Sequence, residues 1–186
     1  MSLDRRDFLK MTGALTLSLA AERAWAQTAK VEVLWLGQSA TRITTLSGKV
    51  IVIDPFLTKN PKTPQDFKDL DKIGKVDVIL VTHGHGDHTG DVKDLAAKHA
   101  GAKVFGPAGL ISTMIDLGWV SAEQGVRFGK GGTVTPLGPQ IKITQVRAEH
   151  SSEVTVIDPA TKKSTTYPGG EPAGFVIEFE NGFKLY

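Results

Sequence analysis

The chain has 186 residues, 40% hydrophobic and 23% charged, the proportions of one ordinary globular domain able to bury its own core. A formal net charge of +2 and the lack of any basic run give no footprint for nucleic acid. There is no cysteine, which excludes a disulfide framework, a thiolate metal site and a cysteine nucleophile, while 20 glycines point to tight turns and β structure.

The chain opens with an address. Asp4-Arg-Arg-Asp-Phe-Leu-Lys10 resembles the twin-arginine export motif, with Arg5 and Arg6 as the pair. Met11–Ala21 follows as an apolar segment too short to span a bilayer as a mature helix. Ala24-Trp25-Ala26 is an A-x-A-like cleavage site. These signals predict a leader over 1–26 and a domain over 27–186, released into the periplasm without a stable membrane anchor. Cleavage removes four basic and three acidic residues, so the mature chain is nearly neutral.

Val31–Leu36 alternates Val31, Val33 and Trp35 with Glu32 and Leu34, a first strand closed by Gly37. Thr41–Leu46 and Val50–Asp54 read as a hairpin turning at Ser47-Gly48. Asp54-Pro55 suits a strand-ending turn in which the carboxylate bonds its own backbone. The polar Asn60–Lys75 is a surface connection with one helical turn near Phe67–Leu70. Val76–Val81, broken only by Asp77, is apolar and β-branched and predicts a buried strand.

That strand delivers His83, His85, Asp87 and His88 within six positions, three of the chain's five histidines among them. Divalent ions take neutral imidazole nitrogens and carboxylate oxygens at about 2.0–2.2 Å. Residues two apart on an extended segment point the same way, so His83 and His85 suit one ion. Gly84 and Gly86 free the backbone to curl, which turns Asp87 and His88 toward a second ion about 3.5–4 Å away in a two-metal site.

Asp91–Ala100 has the helix period, with Val92, Leu95, Ala96 and His99 on one face and Gly101 as the stop. His99 lies at the far end of that helix and reads as structural. Lys103–Phe105 is a short strand. Pro107 opens a helix with Leu110, Met114 and Leu117 as a core stripe, closed by Gly118. Gly129–Gly132 lacks the Lys-Ser/Thr of a phosphate cradle and reads as a hairpin turn. Thr133–Leu137 and Ile141–Arg147 are strands, the second leading into His150. Ser151 and Ser152 are turn residues, with no motif placing a base beside either. Asp158–Pro172, rich in Pro, Gly, Ser, Thr and Lys, suits a mobile loop or flap. Gly174–Glu180 and Phe183–Tyr186 form a last hairpin around Asn181-Gly182.

Thr82-His-Gly-His-Gly-Asp-His88 resembles the HxHxDH signature of the metallo-β-lactamase fold superfamily. Val33-Leu-Trp-Leu-Gly-Gln-Ser-Ala40 and Ile51-Val-Ile-Asp-Pro-Phe-Leu-Thr-Lys-Asn-Pro61 are similar to its ascorbate-6-phosphate lactonase-like branch. So are Ala148-Glu-His-Ser-Ser152 and Gly170-Glu-Pro-Ala-Gly-Phe-Val-Ile177. The resemblance implies an α/β fold, a four-layer αβ/βα sandwich of which the first half and part of the second are present. It implies that His83, His85 and His150 hold a first ion, and Asp87 and His88 a second. Asp87 also orients the attacking hydroxide, and Asp54 becomes either a plain turn residue or a support beneath the metal loop. The ions are two Zn²⁺, with manganese or iron as alternatives.

The implied activity is hydrolysis of a small-molecule ester, lactone, amide or phosphodiester. An iron-dependent oxidoreductase on the same scaffold and a non-catalytic metal-binding remnant are the alternatives. Relatives often have histidine where Gln38 stands. They also continue past Leu185-Tyr186 into a stretch whose aspartate bridges the metals, so a C-terminally truncated chain is expected. Its last strand would be an edge open to a homo-oligomeric partner.

Overall fold

The computed structural model describes residues 30–186, so the export motif and cleavage site lie outside the described residues. Six strands, numbered along the chain, make the first sheet: β1 (Glu32–Trp35), β2 (Thr41–Thr44), β3 (Val50–Ile53), β4 (Val78–Leu80), β5 (Lys103–Pro107) and β6 (Gly125–Phe128), adjacent in that order. β1, β2 and β3 are antiparallel through the expected hairpin, where Gly48 takes a positive φ of 75°. From β3 to β6 the pairing is parallel, which requires crossovers.

Those crossovers carry the short helices. The first runs through two 3-10 turns, Gln65–Lys68 and Leu70–Ile73, one more than expected. The second contains α1 (Gly86–Thr89) and α2 (Val92–Lys98), and the third α3 (Ala108–Asp116), entered from Pro107. Val92, Leu95 and Ala96 of α2 join Leu110, Ile111 and Met114 of α3 against Val50, Val52, Ile79 and Val104 of the sheet. The expected apolar stripes are therefore core.

Opposite-parity residues Ile51, Val78, Leu80 and Phe105 are buried on the other face, as alternation along a strand requires. There the Phe105, Phe128 and Phe175 rings follow one another at 5.8 and 6.2 Å, leading to a second, four-stranded sheet. It contains β7 (Thr133–Val134), β8 (Lys142–Arg147), β11 (Ala173–Glu178) and β12 (Lys184–Leu185), in the order β12-β11-β8-β7 and antiparallel throughout. β9 (Glu153–Ile157) and β10 (Ser164–Pro168) form a separate hairpin.

Four expectations change. The flap expected over Asp158–Pro172 contains β10, which pairs along its length with β9. Val154–Tyr167 and Val156–Thr165 are cross-strand pairs of the kind that stabilise a ribbon, and Asp158 closes its turn by accepting from Ala160 and Thr161 N–H. Gly129–Gly132 is not a hairpin turn, because it carries the chain from the first sheet to the second. The strand expected over Thr133–Leu137 shortens to two residues. In β1 the more apolar face, with Val33 and Trp35, is the exposed one.

One carboxylate ties the sheet to the helices. Asp91, 2% exposed, accepts from Leu57 N–H (2.5 Å), Thr58 N–H (3.0 Å) and the Thr58 hydroxyl (2.6 Å). The backbone leaving β3 is thereby pinned to the start of α2, beside the histidine loop.

Candidate metal centre

Strand ends deliver the site. Asp54 follows β3, Thr82 and His83 follow β4, and His150 follows β8. In open sheets with parallel strands, such carboxyl ends are where ligands bind. His83 is 5% exposed, while His85 lies on the loop just before α1. Gly84 between them is required by close approach, because a Cβ there would lie 2.9 Å from the Glu153 carbonyl group. The loop is held from the far side by Ser152, whose hydroxyl accepts from Gly84 N–H (3.1 Å) and donates to Gly169 O (2.8 Å). Ser152 thus has a structural part to play that exceeds a turn residue's.

The three imidazoles of His83, His85 and His150 converge, each offering a nitrogen within 4.8 Å of the others. Ring centroids lie 4.6 Å (His83–His85), 4.8 Å (His83–His150) and 5.0 Å (His85–His150) apart. Asp87 and His88, on α1, sit beside this group. His88 has its ring centroid 3.9 Å from that of His83, and its Nε2 lies 3.9 Å from Asp87 Oδ2. His99, at the end of α2, lies elsewhere, lining a cleft with Lys75, Asp77 and Lys98. A cavity of about 420 Å³ opens over the centre, lined by Asp54, His83, His88, His150, Phe175 and Tyr186 among others.

Hydrogen bonds assign the tautomers. A carboxylate only accepts, so the Thr82 hydroxyl donates to Asp54 Oδ2 (2.7 Å) and has only lone pairs left for His83 Nδ1 at 3.0 Å. His83 therefore carries its proton on Nδ1 and presents a lone pair at Nε2. By the same reasoning His85 donates from Nε2 to Glu153 Oε2 (3.0 Å), and neutral His85 presents its lone pair at Nδ1. These two nitrogens face one another at 3.1 Å. Two lone pairs so placed repel unless a cation lies between them, and ligand nitrogens around a tetrahedral zinc ion are separated by about 3.3 Å. The donor set fits a divalent ion.

The second pair is prepared in the same way. His88 donates from Nδ1 to Asp54 Oδ2 (2.8 Å), leaving Nε2 free toward Asp87. Metal-binding histidines commonly hold their other ring nitrogen on such a carboxylate. Asp87 Oδ2 accepts from Gln38 Nε2–H at 2.5 Å.

Electrostatics follow the same lines. Burial pushes His83 down to about 4, helped by the nearby His88, His85 and His150 and opposed by Asp54, so it is neutral at ordinary pH, as a ligand must be. Burial also pulls on His88, but the Asp54 hydrogen bond and charge outweigh it and raise its pKa. For Asp87, burial is outweighed by the Gln38 hydrogen bond and the His88 charge, which lower it.

Asp54 is the hub. It is 2% exposed and accepts from Thr82 N–H (2.8 Å), the Thr82 hydroxyl and His88. Asp54→Ala is expected to cost about 3 kcal/mol by stranding these buried donors, lowering Tm by roughly 6–12 °C for a domain of this size. Calorimetry of the metal-free protein checks this, and an unchanged Tm would reduce Asp54 to a turn residue.

Sequence reasoning missed Glu153 and Ser152 as supports of the loop. Their signal was slight: Ser152 sits in a polar turn, and nothing local in the β-branched Glu153–Ile157 run marks its first residue as a partner for a histidine 68 positions away.

A strand-end cluster of imidazoles and carboxylates on a mixed α/β frame of stacked sheets and flanking helices defines the metallo-β-lactamase class of fold. The sequence profile of the beta-lactamase superfamily domain matches residues 49–186, and the chain belongs to that superfamily. It is similar to the UPF0173 metal-dependent hydrolase of Cupriavidus necator, 58% identical over 158 residues, covering 84% of this chain and 54% of that one. A protein of the same description from Rubrobacter xylanophilus is 40% identical over 154 residues, covering 83% and 58%. The chain thus spans little more than half the length of these curated relatives. Among solved structures it is similar to Igni18, a novel metallo hydrolase from the archaeon Ignicoccus hospitalis. The TM-score is 0.64 at 29% identity, covering 83% of this chain and 58% of the other.

Proposed function

We propose that this chain is the metal-binding part of a hydrolase acting on a small-molecule ester, lactone, amide or phosphodiester, with zinc as the resident ion. The resemblance of Val33–Ala40 and Ile51–Pro61 to the lactonase-like branch supports the lactone among these. The observation that carries the reading is the pair of lone pairs at His83 Nε2 and His85 Nδ1, fixed face to face by Thr82 and Glu153. His83, His85 and His150 would hold one ion, and Asp87 with His88 Nε2 a second. Ions in such positions supply Lewis acidity, which polarises an acyl or phosphoryl oxygen and acidifies water.

The chain's own residues do the rest. Asp54 and Thr82 keep His83 and His88 in the tautomers that present Nε2. Glu153 does this for His85. Asp87, with a side chain about half exposed and a depressed pKa, accepts a hydrogen bond from the attacking water and so orients it. Phe175 walls one side of the cavity and limits water there.

Elemental analysis of the purified chain, with hydrolysis assays on a lactone, an aryl ester and a phosphodiester, tests the reading. One or two equivalents of zinc, with hydrolysis abolished by a chelator and restored by zinc, is the expected result. A chain that takes up no divalent ion at saturating zinc would overturn it.

A further inference from the structure

Three non-glycine residues among those described have left-handed backbone: Gln38 (φ 52°), Asp54 (φ 46°) and Lys162 (φ 58°). Such residues are strained and persist only where their surroundings hold them, often at functional sites. Lys162 closes the turn of the β9–β10 hairpin, bonded through its N–H to Asp158 O at 2.9 Å. The other two reach the same loop from neighbouring strand ends: Asp54 toward His88, and Gln38 toward Asp87.

The structure around Gln38 shows what holds it. Gly37 before it has a φ of 100° and packs so closely on the next segment that a Cβ would lie 2.9 Å from the Lys62 carbonyl carbon. Leu36 N–H donates to Ala40 O (2.8 Å) and Ala40 N–H to Gly37 O (3.0 Å), closing the β1–β2 turn. The Trp35 indole N–H donates to Gln38 O at 2.8 Å, fixing the residue's own backbone. A locked turn thus aims a side chain that is itself exposed.

Its target needs that support. Asp87 sits on a four-residue helical turn with its side chain 48% exposed. Among the described residues, Gln38 alone gives its carboxylate a side-chain hydrogen bond. Without it, rotation about the side-chain bonds would have to be frozen when an ion arrives. An amide suits the task because it donates without charge, neither repelling a cation nor titrating in the working range.

The geometry points to Gln38 as the positioning residue for Asp87, holding the carboxylate ready for the second ion. This rests on the two-ion reading proposed above. Each outward donor then has its own support from a left-handed residue: Asp54 for His88 and Gln38 for Asp87.

Stepwise zinc titration against a competing chelator, on wild type and Gln38→Met, tests this. Methionine keeps the length and removes the donor. The expected result is a loss of about 10–100-fold in the weaker zinc constant, the usual effect of removing a ligand's support, with the tighter constant unchanged. No change in either constant, or an equal fall in both, overturns the inference.

A second measurement guards against a wild type that takes up fewer than two ions, which would sink the two-ion reading itself. In chelated protein, the Gln38 side-chain amide signals in a ¹H–¹⁵N spectrum should be well dispersed and should collapse toward free values in Asp87→Ala. Collapse keeps Gln38 as the residue that orients Asp87, whatever the metal count. Signals indifferent to Asp87→Ala overturn the contact and the inference with it.

Discussion

His85→Ala and His150→Ala are each expected to lower zinc affinity by more than about 100-fold, beyond the range seen when only a ligand's support is lost. His99→Ala is expected to leave it unchanged. The contrast follows from where the imidazoles lie. His85 and His150 offer nitrogens that converge with that of His83 within 4.8 Å, whereas His99 caps the end of α2 in a separate cleft. His99 Nε2 is buried without a hydrogen-bond partner among the described residues, so its replacement controls for the loss of a buried ring.

Stability gives a second readout of the same substitutions. An ion that binds only the folded chain stabilises it by about 2.7 kcal/mol when present at 100 times its dissociation constant. Zinc should therefore raise the Tm of wild type and of His99→Ala by clearly more than that of His85→Ala or His150→Ala, which keep at most the Asp87–His88 position. Equal zinc protection in all four proteins would place the ion somewhere other than the three imidazoles.

Why part of this centre could be read from the chain and part could not is a matter of distance along it. The His83–His88 loop packs its donors into six positions after a strand, so local geometry alone brings them together. His150 follows the alternating Ile141–Arg147, but what singled it out as a ligand was the resemblance of Ala148-Glu-His-Ser-Ser152 to the superfamily pattern, since a histidine at a strand end is by itself an ordinary loop residue. The β-strand periods also located the central strands, since Val50–Ile53 and Val78–Leu80 are apolar runs buried on both faces.

Glu153 is different. It lies 68 residues from His85, and its contact exists because Glu153–Ile157 pairs with Ser164–Pro168. The pairing partner is Ser-Thr-Thr-Tyr-Pro between turn-rich flanks, a composition that competes equally well as loop. β6 was invisible for a related reason. Gly125–Phe128 has only two apolar side chains, and its place beside β5 is decided by the parallel crossover through α3. Asp54 was legible as the end of a strand. Its role as a three-donor acceptor depends on the β3–β4 register, which sets Ile53 opposite Leu80 and so brings Thr82 against the carboxylate.

The stability of the metal-free protein is expected to peak near pH 6.5, with His83, joined by His99 whose pKa burial also lowers, behind the acid side and His88 behind the alkaline side. His83 is held down to about 4 in the folded chain, mainly by burial, whereas the unfolded chain has an ordinary imidazole near 6.5. Below 6.5 the unfolded state takes up the proton first, so acid favours unfolding. This contribution is complete above 6.5 and is lost as the pH falls toward 4, amounting to at most about 3 kcal/mol.

His88 acts in the opposite sense. Its pKa is raised, because the Asp54 hydrogen bond and charge outweigh burial. Its contribution is present below 6.5 and is lost as the pH rises through its raised value. Asp87, held below 3.8, loses its own contribution only at lower pH and leaves this window unaffected. Urea unfolding in chelator between pH 4 and 8.5 resolves the two limbs. His83→Gln should flatten the acid limb and leave the alkaline limb, whereas His88→Gln should flatten the alkaline limb and, by removing a neighbour that helps hold His83 down, weaken the acid limb slightly. Zinc should steepen the acid limb of wild type, because protons and the ion compete for the same nitrogens. An acid limb that survives intact in His83→Gln would mean that the buried imidazole is not what the folded chain keeps neutral, and the lone-pair geometry between His83 and His85 would lose its physical basis.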